Sequence, residues 1–239
     1  MKKFLVDVVI FTVMLIPILF SLVSPIFSVD TAVVKTLHPI ADTYVDSDEP
    51  TASYGADTHL YVAFWTYNYT PNFRRDIYLL FDLTALFQEL QSISSAYLRL
   101  YADVVWKQPA CVGVSQCSDV SWNEDEIVWG DAPLPSLMVS DTMKVTNENA
   151  WYTWNITIDV KSAIGQEIAF ALTVQNPDHN FYAGFSSKDG SANFPELVIE
   201  YEMHLTPEFS SVFIMSLFLI STLLAVTVRR KSQKQHRDI

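Results

Sequence analysis

Cysteine is scarce in this chain: Cys111 and Cys117 are the only two among 239 residues. No His stands within ligand spacing of them, which makes zinc the weaker reading; two thiols separated by five residues in an oxidising exterior read as a small disulfide loop. His38, His59, His179 and His204 are isolated, without His-x-x-x-His or His-Glu-x-x-His spacing, and Ser186-Ser187 lies in no nucleophile elbow. Neither a helical zinc-hydrolase motif nor an α/β-hydrolase serine is therefore written here. Basic residues are also few. The chain holds 15 Lys and Arg against 27 Asp and Glu, and seven of those bases (Lys2, Lys3, Arg229, Arg230, Lys231, Lys234, Arg237) lie in the terminal segments with the acids Asp7, Glu208 and Asp238. This leaves 8 bases against 24 acids from Val29 to Thr206, a balance of −16, which excludes nucleic acid as a partner because phosphate recognition needs clustered Lys and Arg. Internal repeats and low-complexity tracts are absent too, so residues 29–206 are most simply one domain.

What is present begins with the two ends. Lys2 and Lys3 precede an apolar run from Val8 to Val23, closed by Ser24, Pro25 and Ser28. Residues 1–28 read as a secretory signal peptide or, if uncut, as an N-terminal anchor. Ser210 to Val228 carries no charge and would span about 28 Å as a helix, close to the hydrocarbon thickness of a bilayer. Arg229, Arg230 and Lys231 follow at once, the cytoplasmic mark of a single-pass transmembrane helix. Whether the first segment is cut or kept, the expected topology holds the middle domain outside the cell. Asn68-Tyr69-Thr70 and Asn155-Ile156-Thr157 are glycosylation sequons that an exported chain could use.

The middle alternates with period two. Leu60, Val62 and Phe64 alternate with Tyr61, Ala63 and Trp65; Ile77, Leu79 and Phe81 with Tyr78, Leu80 and Asp82; Ala96, Leu98 and Leu100 with Tyr97, Arg99 and Tyr101, the run ending at Asp103. Trp154 to Val160, Ile168 to Val174 and Leu197 to Tyr201 repeat the pattern. Short alternating runs between Pro, Asn, Asp and Gly clusters predict an all-β fold, a sandwich or jelly roll, with one short helix or turn at Leu83–Ser92 and a turn at Lys161–Gly165.

Two candidate sites follow from side-chain chemistry. Asp42, Asp46, Asp48 and Glu49 offer hard oxygen ligands within one loop, as Ca²⁺ requires, against the plainer reading of a polar surface loop. If the leucines face inward, parity sends Tyr61, Trp65, Tyr67, Tyr78, Tyr97, Arg99 and Tyr101 to the outer face. Exposed rings there suit stacking on sugar C–H faces; packing beneath a loop is the alternative. The acidic run Glu124-Asp125-Glu126 reads as a solvated loop rather than a catalytic pair, because glycosidase acids face each other across a sugar.

Several of these segments resemble a known family. Ala41-Asp42-Thr43-Tyr44-Val45, Tyr54-Gly55, Arg75 to Leu83, Ala96-Tyr97-Leu98-Arg99-Leu100-Tyr101, Trp122-Asn123-Glu124-Asp125-Glu126-Ile127-Val128-Trp129 with Ala132-Pro133, and Phe185-Ser186-Ser187 to Tyr201 resemble the DNRLRE, or disaggregatase-related, domain, akin to carbohydrate-binding module family 96. The resemblance implies a jelly-roll sandwich on secreted and surface proteins that binds acidic polysaccharide. Leu80 departs from it, since many members carry a base there. Pro207-Glu208-Phe209 before the apolar span resembles the PEF-type sorting signal of archaeal surface proteins, which implies exchange of the helix for a lipid anchor; a strand-ending Pro and an interfacial Phe is the alternative. Together these features lead to the expectation of a membrane-tethered, non-catalytic module that binds polysaccharide or a cell-envelope glycan. A structural envelope protein and a polysaccharide-degrading enzyme are the competing readings.

Overall fold

The computed structural model describes residues 30–67, 70–88, 92–107, 109–175, 179–204 and 220–222. Eleven strands run in chain order: β1 Asp30–Leu37, β2 Ala41–Asp46, β3 His59–Tyr67, β4 Thr70–Asp82, β5 Ser92–Lys107, β6 Ala110–Cys117, β7 Asp141–Val145, β8 Ala150–Asn155, β9 Glu167–Gln175, β10 Phe181–Ser186 and β11 Glu196–His204. A 3₁₀ turn, Thr84–Gln88, follows β4, and a short α1, Thr157–Ser162, follows β8. The expectation of an all-β domain holds. Residues 30–203 form one compact unit, and Ile220, Ser221 and Thr222 are helical.

The strands form one antiparallel sheet in the order β1-β11-β5-β10-β3-β4-β9-β6-β7, with β2 on β4 and β8 on β5. Long strands make the sheet curl, because they change partners along their length. β4 pairs with β3 through Phe73 and Arg75, then with β9 from Ile77 to Asp82. Similarly, β5 pairs with β11 through Ser92–Arg99 and with β10 through Ala102–Lys107. The curl brings β8 over β6 and β7, strands far from it in the order: Trp154 Nε1 donates to the Val112 carbonyl at 2.8 Å, and the Asn155 amide donates to Asp141 Oδ2 at 2.7 Å. The result is a β-sandwich. Its interior gathers the predicted inward faces, Leu60, Val62, Ile77, Leu79, Phe81, Leu98 and Leu100, with Phe170, Leu172, Phe181, Phe185, Leu197 and Ile199. Each large side chain removed from water contributes roughly 1.5–3 kcal/mol before entropy is counted.

A second apolar layer lies on the opposite face of β2, β4, β6 and β9. Ala41, Val45, Tyr78, Leu80, Cys117, Ala169 and Ala171 are covered there by Ile127, with Val120, Trp122, Trp129 and Ala132 packed alongside. The segment between β6 and β7 therefore acts as a cover, and β9 is buried on both faces from Ile168 to Val174. Leu80 belongs to this covered layer.

Two expectations are corrected. The run from Trp154 to Val160 is not one strand: β8 ends at Asn155, whose Oδ1 accepts from the Thr157 amide (3.1 Å) and hydroxyl (2.7 Å). This side-chain turn starts α1, which buries Ile156 and Val160, one turn apart, and leaves Ile158 84% exposed. Cys111 and Cys117 do not close a loop either. Both thiols are free and stand at opposite ends of β6, about 20 Å apart at strand rise, far beyond the Cα separation that a disulfide tolerates. The predicted signal or anchor, the Pro207-Glu208-Phe209 signal, the apolar span from Ser210 and the Asn68 sequon lie outside the described residues, apart from Ile220–Thr222 in the span. Among the described residues no helix is long and apolar enough to cross a membrane.

Candidate functional site

Pairing register builds a face from the backbone outward. Residues directly opposite in neighbouring strands share a face. Arg75 of β4, Ala63 of β3, Tyr182 of β10 and Trp106 of β5 form one row. Trp65 and Phe73 flank it on one side; Tyr61, Gly184 and Val104 flank it on the other. Small residues make the floor and rings make the walls. A Cβ on Gly184 would lie 2.8 Å from Tyr61 Cε1, so glycine is what lets the Tyr61 ring lie across β10. Trp65, Phe73, Arg75, Val104, Val105, Trp106, Glu148 and Tyr182 line a groove of about 620 Å³.

The rings are nearly parallel but offset. Trp65 and Trp106 have centroids 5.4 Å apart at 19°, and Trp65 and Phe73 are 6.1 Å apart at 11°. At such spacings offset rings leave part of each face uncovered, and Trp106 remains 51% exposed. Lys107 has a left-handed backbone (φ 73°) and places its Nζ 4.0 Å from the Trp106 centroid, within cation–π range. Arg75 sits among four rings, 5.5 to 6.0 Å from the centroids of Tyr44, Tyr61, Phe73 and Tyr182. Its Nε donates to Asp46 Oδ2 at 2.7 Å. Burial is the largest single influence and works against the guanidinium charge, but the hydrogen bond and charge of Asp46, together with the Tyr44 and Tyr182 phenols, outweigh it and hold the Arg75 pKa above its ordinary value. Burial also raises the Tyr182 and Tyr44 phenols, so both keep their protons at neutral pH.

Further along β5 the same outer face continues. Tyr101 pairs with Trp151 of β8 (5.5 Å, edge-on), and Arg99 lies 4.7 Å over Trp151 while donating to Glu196 Oε2 at 2.7 Å. Between the two ring clusters Asp103 is an extra residue: Ala102 pairs with Phe185 and Val104 with Gly184. This β-bulge shifts the parity by one, so outward positions run 97, 99, 101, then 104 and 106. Asp103 accepts from Ser186 Oγ at 2.8 Å and lies 3.6 Å from His59 Nε2. Ser186 thus donates to the acid rather than to the imidazole, unlike the bonding of a nucleophilic triad.

Of the seven predicted glycan residues, Trp65 enters the groove, Tyr61 stacks on Tyr182 at its edge, and Arg99 and Tyr101 belong to the second cluster. Tyr97 stands half-buried on the same face of β5. Tyr67 ends β3, with its side chain outside the described residues. Tyr78 is corrected: it is 3% exposed and packs edge-on against Trp122 beneath the covering loop, so it offers no ring to a ligand. Trp106, Tyr182 and Trp151 are additions. Strict alternation carried past Asp103 would have turned Trp106 inward, and only the bulge turns it out.

The four acids expected to form one calcium loop separate. Asp42 and Asp46 are both on β2, about 13 Å apart at strand rise. Asp46 pairs with Arg75 and accepts the Asp48 amide, while Glu49 accepts from the Tyr54 hydroxyl. Asp42 instead accepts from Ser187 Oγ (2.9 Å) and the Lys188 amide (2.7 Å), and its own amide donates to Glu124 Oε2 (2.9 Å). Asp42, Glu124 and Asp189 bring carboxylate oxygens within 4.8 Å of one another, and Lys188 Nζ bonds Glu124 and Asp189 at 2.9 Å each. Burial pushes the Asp42 carboxyl up to about 6. This cluster clasps the covering loop to β2. The Glu124-Asp125-Glu126 run supplies that clasp through Glu124, and Asp42 is too buried to meet a sugar.

An all-β sandwich that exposes a ring-lined groove with ion-paired and polar side chains among the rings is the architecture of a ligand-binding module. The chain belongs to carbohydrate-binding module family 96, whose family model matches residues 33–201. It is also similar to a gellan lyase from Bacillus sp, 30% identical over 135 residues, which cover 53% of this chain and 5% of that protein. The chain thus corresponds to a small part of the relative's length.

Proposed function

We propose that residues 30–203 form a non-catalytic polysaccharide-binding module, displayed outside the membrane on the anchor expected from Ser210 to Val228, and that the glycan lies in the Trp65–Trp106–Tyr182 groove. The observation that carries this reading is the offset Trp65–Trp106 pair, with Trp106 half-exposed and Trp65 partly exposed, in a chain of this family. Sugar rings present C–H faces to aromatic rings and hydroxyls to charged and amide groups. The groove matches both, with its indoles for the first and Lys107, Arg75 and Glu148 for the second. Among the described residues Lys107 makes no ion pair, so its ammonium is available to a sugar oxygen or a uronate.

The similarity to a gellan lyase makes gellan the first ligand to try, beside alginate and a neutral β-glucan. In affinity electrophoresis the full chain is expected to be retarded by at least one of the three gels, and Trp106→Ala to restore free mobility. Unchanged mobility of the wild type in all three would overturn the reading.

A further inference from the structure

Resting on that reading, we infer that the ligand is an extended internal stretch of polysaccharide lying along β5, held at two aromatic stations rather than capped at one. Trp65, Trp106 and Tyr182 form one station; Trp151 and Tyr101, with Arg99 and Glu196, form the other. The bulge at Asp103 is what places them on one face. Without it the even positions of β5 would follow Leu98, Leu100 and Ala102 inward, and Trp106 would point into the core. With it, Tyr101 and Trp106 are five positions apart with one residue absorbed, about 13–17 Å at strand rise, room for several pyranose rings. The interval between them is polar. Asp103 and His59 are both partly exposed there, with Ser186 fixing the Asp103 carboxylate from beneath, so hydroxyl partners lie where the chain would cross. A groove that closed around one terminal sugar would not need a second cluster in line with it.

Binding at two linked stations makes affinity depend on ligand length, because a chain long enough to reach both gains the second contact without a second loss of translational freedom. The test is calorimetric titration of the full chain with oligosaccharides of gellan, alginate and the β-glucan, each from disaccharide to decasaccharide, for the wild type, Trp151→Ala and Trp106→Ala. The expected result is about a tenfold gain in affinity with length for the wild type, abolished by Trp151→Ala without loss of short-ligand binding, whereas Trp106→Ala weakens ligands of every length. Tyr101→Ala, a smaller change at the same station, gives the same readout should Trp151→Ala unfold. Affinity that is flat with length, or Trp151→Ala and Tyr101→Ala titrating like wild type, overturns the two-station inference and leaves the groove standing. No wild-type binding at any length overturns it together with glycan binding on this face.

Discussion

Replacing Arg75 by Met tests how the groove is held in shape. Asp46 is 2% exposed and its ion pair with Arg75 spans 2.7 Å; in the variant its carboxylate would keep the Asp48 amide as its hydrogen-bond donor. Removing one partner from a buried pair costs about 3–5 kcal/mol, chiefly because the other charge stays buried without compensation. The Arg75 side chain is 25% exposed, which lets water relax part of that cost, and Met restores some apolar contact with Tyr44, Tyr61 and Tyr182. A loss of roughly 3 kcal/mol in urea denaturation is therefore expected. The double variant Asp46→Asn with Arg75→Met, which leaves no buried charge, should recover more than half of it. A loss under about 1 kcal/mol for Arg75→Met, or a double variant that costs the sum of the two singles, would refute the reasoning that this pair organises the rings.

Stability should fall as pH rises. The Asp42 carboxyl moves from 3.8 to about 6 on burial, so the folded chain holds a proton that the unfolded chain has released. Asp42 accordingly favours folding fully below about pH 4 and loses that contribution as pH climbs through 6, a change of roughly 3 kcal/mol; urea melts at several pH values should show this slope, and Asp42→Asn should reduce it, leaving the part that the Asp76 carboxyl, also raised by burial, adds with the same sign. Gly55→Ala would drive a Cβ into the Glu124 carbonyl; a cost of about 1–3 kcal/mol, or a Tm lower by roughly 5 °C, should appear in calorimetry. Thiol titration should find Cys111 reactive in the folded protein and Cys117, whose thiol burial pushes up to about 12, reactive only after denaturation; a native chain without free thiols would contradict the β6 geometry.

The sequence made the long strands legible where one face is buried. β3 and β11 alternate cleanly, as do β4 from Ile77 and β5 from Ala96 to Ala102, and their inward residues are the core, although Tyr78 and Leu80 on the second face of β4 are covered too. β9 also read correctly, although its second face is covered as well. β6 was hidden by its two cysteines, which look like a clasp in one dimension and are the ends of a strand in three. α1 was hidden because Ile156, Ile158 and Val160 fit a period of two as well as the helical i, i+4 spacing that Ile156 and Val160 keep; the Asn155 turn decides between them. Half of the site was readable by parity, namely Tyr61, Trp65, Arg99 and Tyr101. Trp106 was not, since a bulge leaves no mark in a single sequence, and Tyr182 was lost with the short strand that carries it. The acidic residues misled for a related reason: spacing along β2 places Asp42 and Asp46 near each other in sequence, yet extended backbone holds them apart with different partners.

The most direct test of glycan binding in the groove is calorimetric titration of the full chain with gellan, wild type against the Trp65→Ala and Trp106→Ala variants. Covering half of an indole removes on the order of 100 Å² from water, about 2 kcal/mol or a thirtyfold change in Kd for each ring. The expected outcome is that each variant weakens binding by about that factor while near-ultraviolet circular dichroism retains the native tertiary signal. Wild-type affinity in both variants would contradict the account.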